Sequence, residues 1–393
     1  MNLPKEINKR IKDLFGQNFE GLYTHEPSFS ESNASKYLKE CIESGWVSNS
    51  GPWVNKFEKL ISERTGAKYV VAVSNGTSAL RLSLHIMGVR PNDEVLIPPL
   101  SFVATANAIS HLGAEPHFID IEPKALGMCP LALEKRLIEI SERSDNILFN
   151  KKTGRKISAV MPVHVFGLPS KIVEIKKICE KWNLPLVEDA AEALGSSILN
   201  KSTKIHCGCV GDIGVISFNG NKIITTGGGG ALLTNNATIG QLAKHLSTTA
   251  KLVHPWEFFH DQVAWNDRLP NINAALGVSQ IEQLDNKIHL KRILHQKYQE
   301  KFRDLNEVEI IKEDKNCESN YWLNTLRLSG KEPEKLRDEV LKNAHKSKIY
   351  LRPSWILLNQ LPMYLNSQKG NLDEATYQSK RLINLPSSPQ LIT

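Results

Sequence analysis

Short apolar segments alternate with longer amphipathic segments between Lys68 and about residue 245. The apolar segments, such as KYVVAVS (68–74) and EVLIPP (94–99), have the length and composition of buried strands. Between them, apolar residues recur with helical spacing, as in the predicted helix Phe102–Leu112, which Gly113 closes. Strands that alternate with helices of about 10 to 15 residues indicate an α/β fold with a mostly parallel sheet.

The pattern changes beyond residue 245. Residues 271–305 are charged and have helical spacing, whereas the segment CESNYWLNTLRLSG (317–330) has the pattern of an antiparallel strand. A helix from Pro333 and a short strand near Ile349 follow. We therefore predict three parts: an N-terminal arm (1–30), a large α/β domain (31–255) and a smaller C-terminal α+β domain (256–393).

The composition is that of a soluble globular protein, since 41% of the 393 residues are hydrophobic and 23% are charged. We expect no signal peptide, because the charged N-terminus has no apolar core, and no membrane span, because no run of 18 apolar residues occurs. The six scattered cysteines suit a reducing compartment, so we expect a cytoplasmic protein.

The charge distribution and the cysteines also limit the ligands that we expect. The net charge of +7 comes from Lys and Arg side chains scattered along helical segments, which indicates solvated helix faces rather than nucleic-acid binding. A mild positive field still favours anionic substrates such as nucleotide sugars. His206, Cys207 and Cys209 lie together, but zinc usually takes four ligands and no second cluster occurs, so we expect no metal.

The segment Val215–Gly230, VISFNGNKIITTGGGG, carries the first candidate chemistry. A short apolar strand precedes Lys222, and four glycines follow it. A lysine becomes a nucleophile toward carbonyls when it is desolvated or close to other cations. We interpret Lys222 as the residue that bonds pyridoxal 5'-phosphate (PLP) as a Schiff base, with Ser217 supplying a phosphate-binding hydroxyl. An ordinary surface loop with one solvated lysine is the alternative.

Three residues or motifs at other strand ends support a cofactor site. Gly76, Thr77 and Ser78 open a helix, where free N–H groups and two hydroxyls make an anion site, although a simple N-cap explains the same residues. Asp189 ends the apolar strand in LPLVEDAAEALGSS, where a carboxylate can keep a pyridine nitrogen protonated; a helix-capping aspartate is the alternative. Phe102 follows the EVLIPP strand and suits stacking on the pyridine ring, but an aromatic residue there is also typical of a core.

These segments together resemble the DegT/StrS group of PLP-dependent sugar aminotransferases. The resemblance spans about Trp46 to Pro386 and rests on the motifs SNGTSAL, PPLSFVATANAI, PVHVFG, VEDAAEALGS, SFNGNK, GGGGALLTNN and WNDRLPNINAALG. It implies a fold-type I PLP-dependent transferase, with a large domain built on a mostly parallel, seven-stranded type of sheet and a smaller C-terminal α+β domain.

The resemblance also assigns roles to individual residues. As the catalytic pair, Lys222 bonds the cofactor aldehyde and Asp189 holds the pyridine nitrogen. The other residues that it places around the cofactor are Gly76, Thr77, Ser78, Phe102, His164, Glu192, Ser217 and Asn266. The substrate contacts that it implies are Trp46, Ser50, Gly51 and Arg352, the last within YLRPSW (350–355).

Asn266 is the family residue that reaches the cofactor phosphate of the neighbouring subunit, which implies a homodimer with shared active sites. The polar groups of AWNDRLPNINAALG (264–277) suit a phosphate supplied from another chain, and the apolar helix Ile272–Leu284 suits burial at a two-fold interface. Packing of that helix within its own chain is the alternative.

Two departures from the family pattern narrow the expected substrate. Many members have Gln or His at the position of Glu192, and many have Pro-Thr-Lys before the Schiff-base position, where this chain has Asn219-Gly220-Asn221. Both features resemble the branch that acts on UDP-linked 4-keto-6-deoxy N-acetylamino sugars, as in legionaminic acid and bacillosamine synthesis.

We therefore predict a ping-pong aminotransferase that moves the amino group of L-glutamate to C4 of a nucleotide-linked 4-keto-6-deoxy sugar, for surface-glycan or nonulosonic acid synthesis. Freed Lys222 would shuttle the proton during the transfer. One alternative is a transaminase for a GDP- or dTDP-linked keto sugar, as in perosamine synthesis. A PLP-dependent sugar dehydratase and a non-catalytic regulator on the same fold are others, and the intact Lys222 argues against both.

Overall fold

The computed structural model describes residues 2–16, 19–145 and 147–392. Its helices, α1 to α12 in chain order, are Leu3–Phe15, Ala34–Glu43, Pro52–Thr65, Gly76–Ile86, Ala104–Ser110, Pro130–Ile140, Ile172–Trp182, Ala237–Ser247, Asn271–Ile281, Leu284–Phe302, Pro333–Lys346 and Asp373–Ser379. Its strands, β1 to β18, are Leu22–Tyr23, Tyr69–Val73, Glu94–Ile97, Glu115–Phe118, Ser141–Ser144, Ile147–Asn150, Ile157–Val160, Val187–Asp189, Ser197–Asn200, Thr203–His206, Ile213–Ser217, Gly230–Thr234, Val308–Ile310, Cys317–Glu318, Thr325–Leu328, Ile349–Tyr350, Arg352–Pro353 and Leu382–Asn384.

Seven strands form the central sheet. β4, β3 and β7 pair in parallel, as do β8 and β11. Isolated parallel bridges, Val160 to Leu186 and Val163 to Asp189, join the two groups beside β7 and β8. β12 runs antiparallel to both β11 and β2, which gives the order β4-β3-β7-β8-β11-β12-β2. The predicted α/β class with a mostly parallel, seven-stranded sheet is therefore confirmed.

Helices cover both faces of this sheet. α4, α5 and α8 pack on one face, and α3, α6, α7 and α9 pack on the other. Because both faces are covered, β11 and β12 are buried at every position, and successive residues such as Val215 and Ile216 enter opposite cores. Asp189 and Ser217 stand at the carboxyl ends of β8 and β11, which is where a site can form.

The apolar helix near residue 272 packs within its own chain. It is observed as α9, and Ala274, Val278 and Ile281 join Phe57 of α3 in one core. Its own chain therefore covers these side chains, whereas Ile272 and Leu276 are only partly buried, and burial of the helix at a two-fold interface stays a prediction. The apolar pattern of the helix indicates that it is buried, but it does not indicate which part of the protein covers it.

The C-terminal region builds a second, antiparallel sheet in the order β13-β15-β18-β17. Its core also contains Ile7 and Ile11 of α1, which are fully buried with Leu294 and Tyr298 of α10. β1 pairs in parallel with β16. The segment predicted as an arm therefore contributes a helix and a strand to the C-terminal part. The domain limits near residues 30 and 255 stay predictions.

Three further properties of the described chain bear on its class. No helix within the described ranges has both the length and the apolarity needed to cross a lipid bilayer. The six cysteines are all free thiols, and burial raises the pKa of Cys207 well above its usual value. Among the same residues, no group of three or more His, Cys, Asp or Glu side chains is arranged to hold a metal ion.

Candidate active site

A cavity of about 620 Å³ opens at the carboxyl ends of β8 and β11, where ligands of open α/β sheets bind. The start of α4 borders it, and residues of β17 and β18 from the second sheet complete its wall. The predicted site residues that line it are Gly76, Thr77, Phe102, Asp189, Glu192, Ser217, Lys222 and Arg352. The fold thus brings together residues that are far apart in the sequence.

Lys222 lies in the turn after β11, and its side chain is 12% exposed. Its Nζ is 3.1 Å from Oε1 of Glu192 and 3.9 Å from the ring centroid of Trp322. The indole is fixed in turn, because its Nε1 donates to the Asn221 carbonyl at 2.7 Å. A lysine held between a carboxylate and an aromatic face is not the solvated loop residue of the alternative interpretation.

Glu192 is buried, and both of its carboxylate oxygens are bonded. Oε2 accepts from the Phe166 N–H at 2.8 Å, and Oε1 accepts from Lys222. Burial raises the pKa of Glu192, while the charge of Lys222 and the Phe166 N–H oppose that shift. A carboxyl group with a raised pKa beside an amine can hold a proton close to the reacting lysine.

Asp189 ends β8 and is 4% exposed. Its Oδ2 accepts from Oγ1 of Thr105 at 2.7 Å, and its Oδ1 accepts from the Ala191 N–H at 3.2 Å. Burial raises the pKa of Asp189, whereas these hydrogen bonds and the charge of Lys222 act in the opposite direction. In the described chain, no helix begins directly after Asp189, so the helix-capping alternative is wrong.

The N-terminus of α4 forms an anion-binding corner of the cavity. Asn75 caps the helix, because its Oδ1 accepts from the Ser78 N–H at 2.8 Å. The amides of Gly76 and Thr77, the first two of the helix, have no intrahelical partner. Ser217 lies against Gly76, where an added Cβ would come within 3.0 Å of the Ser217 Cβ. Ser78 belongs to the same turn but does not line the cavity.

The glycine run after Lys222 has a steric cause. Gly230 begins β12, and an added Cβ there would lie 2.6 Å from the backbone of Asn75. Only glycine therefore lets β12 pass beside the anion-binding corner. Gly227 has a φ of 80°, in the left-handed region that glycine adopts without strain.

Phe102 and Arg352 complete the predicted lining. Phe102 is 53% exposed, so the core alternative is wrong, and its ring centroid lies 6.3 Å from that of Trp355. Trp355 in turn stacks on Phe166 at 5.2 Å. Arg352 is exposed on β17 and forms no ion pair with any residue that the structure describes. Its guanidinium is therefore free to bind an anion.

His164, predicted to contact the cofactor, does not line the cavity. Its ring is fully buried, and its neighbour Val163 lines the cavity instead. Nδ1 accepts from the Ser170 N–H at 3.1 Å, so Nε2 carries the proton and donates to Glu188 at 3.0 Å. Burial alone would raise the pKa of Glu188, but this hydrogen bond and backbone N–H groups lower it. The pair supports the strand that carries Asp189.

Four more predicted residues, besides Ser78 and His164, lie outside this cavity in their own chain. Trp46 is 58% exposed. Ser50 and Gly51 line a separate cavity of about 330 Å³ that also includes Arg268. The Oδ1 of Asn266 accepts from the Arg268 guanidinium at 3.2 Å. Three of the four therefore lie beside one half-buried arginine, and their contact with cofactor or substrate stays a prediction.

Several cavity residues were missed in the sequence. Thr105 stands inside the motif PPLSFVATANAI, where its helical spacing from Ser101 was a usable signal. Trp322 lies in the aromatic and amide-rich segment 320–324, which is unusual for a simple edge strand. Thr24 and His25 gave no local signal, because the pairing of β1 with β16 is what carries them to the cavity.

The side chains present fit PLP. This cofactor needs an anion site for its phosphate, a carboxylate for its pyridine nitrogen, an aromatic or apolar face and a lysine for its aldehyde. The anion-binding corner at α4, the buried Asp189 carboxylate, the Phe102 ring and Lys222 meet these needs within one cavity.

A mostly parallel sheet with one antiparallel strand, and a cavity lined by a lysine and a buried aspartate, are features of the class of fold-type I PLP-dependent enzymes. Residues 29–393 match the sequence pattern of the DegT/DnrJ/EryC1/StrS aminotransferase family. The chain therefore belongs to this family, as its motifs indicated, and it is a PLP-dependent aminotransferase.

Similar proteins cover nearly the same length. The GDP-perosamine synthase of Escherichia coli O157:H7 is 34% identical over 369 residues, which are 93% of each protein. That of Vibrio cholerae is 34% identical over 368 residues, 93% of this chain and 94% of the relative. The crystal structure of the aminotransferase TlmJ from Streptoalloteichus hindustanus has a TM-score of 0.83 at 26% identity and covers 93% of both chains. The predicted fold type is confirmed.

Proposed function

We propose that this sugar aminotransferase moves the amino group of L-glutamate to C4 of a nucleotide-linked 4-keto-6-deoxy sugar. The observation that carries the proposal is the position of Lys222 Nζ, 3.1 Å from Glu192 in a cavity that also holds Asp189 and an anion-binding corner. These are the groups that PLP-dependent amine transfer requires. The similarity to GDP-perosamine synthases supports a nucleotide sugar as the acceptor.

The same similarity favours a GDP-linked hexose, the alternative in the sequence analysis, over the UDP-linked N-acetylamino sugar placed first there. The UDP-linked hypothesis rests on Glu192 and on Asn219-Gly220-Asn221. Asn219 and Asn221 both line the cavity, where they can contact a substrate, so this second hypothesis is retained. Surface polysaccharide synthesis is the proposed purpose in either case, and legionaminic acid or bacillosamine is the product class only in the second.

When bound, PLP supplies a conjugated ring that stabilises negative charge at the carbon that gains or loses a proton. Asp189 would hold a proton on the ring nitrogen, and Thr105 orients its carboxylate from 2.7 Å. The amides at the start of α4 and the Ser217 hydroxyl would bind the phosphate. Lys222 Nζ accepts and returns the proton at the substrate carbon, and Glu192 stabilises the ammonium form from 3.1 Å.

Arg352 suits both substrates. Its exposed guanidinium has no ion pair with any described side chain, so it can bind a carboxylate of glutamate or the diphosphate of the nucleotide sugar. One cationic group that serves two anionic substrates in turn suits a ping-pong reaction, because the two never occupy the cavity together.

Two other functions fit the cavity less well. A sugar dehydratase on this scaffold replaces the reactive lysine, whereas Lys222 is present. A non-catalytic regulator requires neither the Lys222–Glu192 pair nor the Asp189–Thr105 pair, and both pairs are formed. Amine transfer is therefore the function that accounts for most of the observed side-chain contacts in the cavity.

Isotope-labelled glutamate tests the proposed function directly. The purified holoenzyme is incubated with L-glutamate labelled at nitrogen and with either a GDP-linked 4-keto-6-deoxy hexose or UDP-linked 4-keto-6-deoxy-N-acetylglucosamine. We expect the label at C4 of one product by mass spectrometry and NMR. An enzyme loaded with PLP that aminates neither sugar contradicts the proposal.

We also propose that the active unit is a homodimer in which each cavity is completed by the partner chain. Asn266, Ser50 and Gly51 gather around Arg268 outside the cavity of their own chain. The adjacent segment 252–263 exposes large apolar side chains, namely Leu252, Val253, Trp256, Phe258, Phe259 and Val263. An exposed apolar patch of this kind is typical of a protein interface. This segment is the proposed contact surface.

Mixed dimers test the shared site. Lys222→Ala and Asn266→Asp subunits are each expected to be inactive, whereas their hybrid has one site with both wild-type residues and regains part of the amine-transfer rate. Lys222→Ala mixed with Asp189→Asn is the matched control. Lys222 and Asp189 belong to the cavity of the same chain, so each of the two sites in this hybrid keeps one altered residue. If differently tagged subunits exchange and no activity returns, Asn266 does not act across the interface.

We propose a cytoplasmic location for this enzyme. Its six cysteines are all free thiols, which suits a reducing compartment. Fractionation of the producing cells, with the protein followed by antibody, tests this location, and recovery from a secreted fraction contradicts it.

A further inference from the structure

His25 is a buried imidazole that lines the active-site cavity without a hydrogen-bond partner. It is 9% exposed and borders the cavity with Asn221 and Lys222. No hydrogen bond of normal geometry reaches Nδ1 or Nε2 from the residues that the structure describes, although the Asn221 backbone lies close enough to affect the pKa of the ring. Buried polar groups are nearly always hydrogen-bonded, because an unpaired one costs free energy. An unpaired imidazole in the wall of an active site therefore indicates a ligand group.

The backbone around His25 is held on both sides. β1 ends two residues earlier, paired with β16. The Thr24 carbonyl accepts from the Ser387 N–H at 2.8 Å, and the Glu26 N–H donates to Oγ of Ser388 at 2.9 Å. The ring is thus presented from a fixed backbone, as a preorganised binding group should be.

Burial and the charges of three lysines disfavour protonation of the ring. Burial lowers the pKa of His25 well below its usual value, and the charges of Lys291, Lys287 and Lys222 lower it further. The Asn221 backbone has a weaker effect in the opposite direction. A neutral imidazole has one donor and one acceptor. It cannot form an ion pair with a phosphate or a carboxylate. A carboxylate or a keto oxygen only accepts and would pair one ring nitrogen, whereas a hydroxyl or an amide group can pair both.

We propose that His25 binds a neutral polar substituent on the hexose ring of the sugar substrate, either a hydroxyl or an acetamido group. This inference rests on the proposed function and deepens it. Apart from its reacting amine, glutamate offers only ionised carboxylates, which accept hydrogen bonds but do not donate, so it would leave one ring nitrogen unpaired. The anionic parts of both substrates are left to Arg352. His25 therefore serves the keto-sugar half-reaction and not the glutamate half-reaction.

Single-turnover measurements of the two half-reactions test this assignment in the holoenzyme. Each is followed by the change in cofactor absorbance. L-glutamate is added to the PLP form, and the GDP-linked or UDP-linked 4-keto sugar is added to the pyridoxamine phosphate form that glutamate leaves. We expect His25→Phe to lower the sugar rate constant by about 10- to 100-fold, the effect of leaving a substrate polar group unpaired, and to spare the glutamate step. His25→Gln keeps one donor and one acceptor, so more of the rate should remain.

A binding measurement without turnover provides a second readout. In a Lys222→Ala background, calorimetry gives the Kd of the same keto sugars, and adding His25→Phe should raise that Kd by a similar factor. A larger effect with the UDP-linked sugar identifies the acetamido group as the partner, and an equal effect with both identifies a shared hydroxyl.

His206→Phe is the matched control. His206 is 8% exposed and has one unpaired ring nitrogen, but it does not line the cavity. Its replacement should lower the melting temperature without changing the ratio of the two half-reaction rates. His25→Leu also removes the hydrogen bond and replaces His25→Phe if the larger side chain prevents folding.

Equal losses in both half-reactions, or an unchanged sugar rate and Kd, overturn the role of His25. A different failure concerns the proposed function. If the wild-type enzyme reacts with glutamate but with neither keto sugar, the acceptor class is wrong, and the inference about His25 is overturned with it.

Discussion

Lys222→Ala is expected to abolish amine transfer and to leave the fold intact. The side chain makes one ion pair, with Glu192, and one contact with the Trp322 ring, so its removal disturbs little packing. The change removes both the nucleophile for the cofactor aldehyde and the group that moves the proton. Loss of a catalytic nucleophile lowers kcat by roughly 10⁴-fold or more. Steady-state amine transfer, with the circular dichroism spectrum as the folding control, measures the effect.

Borohydride reduction of the wild-type holoenzyme identifies the bonded lysine. The yellow protein should carry a stable pyridoxyl group on Lys222, located by peptide mass spectrometry. Lys287 and Lys291 are the informative competitors, because burial lowers the pKa of both, that of Lys287 to about 8. Neither lines the cavity, and Lys291 donates to the carbonyls of Trp322 and Ser387. A label on either would refute the assignment of Lys222.

Asp189→Asn is expected to fold, to bind PLP and to lose about 10²-fold or more of kcat, comparable to the loss of one electrostatic contact in a transition state. An uncharged amide no longer favours a protonated ring nitrogen. Its single oxygen also cannot accept from both Thr105 and the Ala191 N–H, so a small loss of stability is expected as well. The measurements are kcat and a spectroscopic titration with PLP.

The control for Asp189→Asn is Asp212→Asn. Asp212 also has both carboxylate oxygens bonded, to the Leu186 N–H and to Lys176, but it lies outside the cavity. Its replacement should lower the melting temperature with little change in kcat. Near-normal turnover in Asp189→Asn would show that this carboxylate only stabilises the turn after β8.

The central sheet was predictable because burial on both faces leaves a clear pattern in the sequence. β11 and β12 are buried at every position, so they appear as uninterrupted apolar runs bounded by polar residues and glycines. The amphipathic helices between the strands supply the parallel connections. The N-terminal segment was predicted less well, because the spacing of Ile7 and Ile11 indicates an apolar helix face but not the distant α10 that covers it.

The candidate site was also predictable only in part from the sequence. Two neighbouring parallel strands of one sheet end at Asp189 and at Ser217, and Lys222 follows the second of them. Because the carboxyl ends of such strands meet at one edge of the sheet, the convergence of these three residues could be predicted. His164 shows the limit of that argument. Adjacent residues of an extended segment point in opposite directions, and it is Val163 that enters the cavity. A shift of one residue therefore decides which side chain meets a ligand.

The backbone hydrogen bonds on either side of His25 also affect the order in which the parts of the enzyme fold. The Glu26 N–H and its acceptor, Ser388, are 362 residues apart in the chain. On the ribosome, Asp189 and Lys222 emerge long before β16 and residues 387–388, which the N-terminal segment needs as partners. Contacts of such long range form late. We therefore expect the cofactor side of the cavity to form first, and His25 to reach the cavity only after Ser387 and Ser388 have been made.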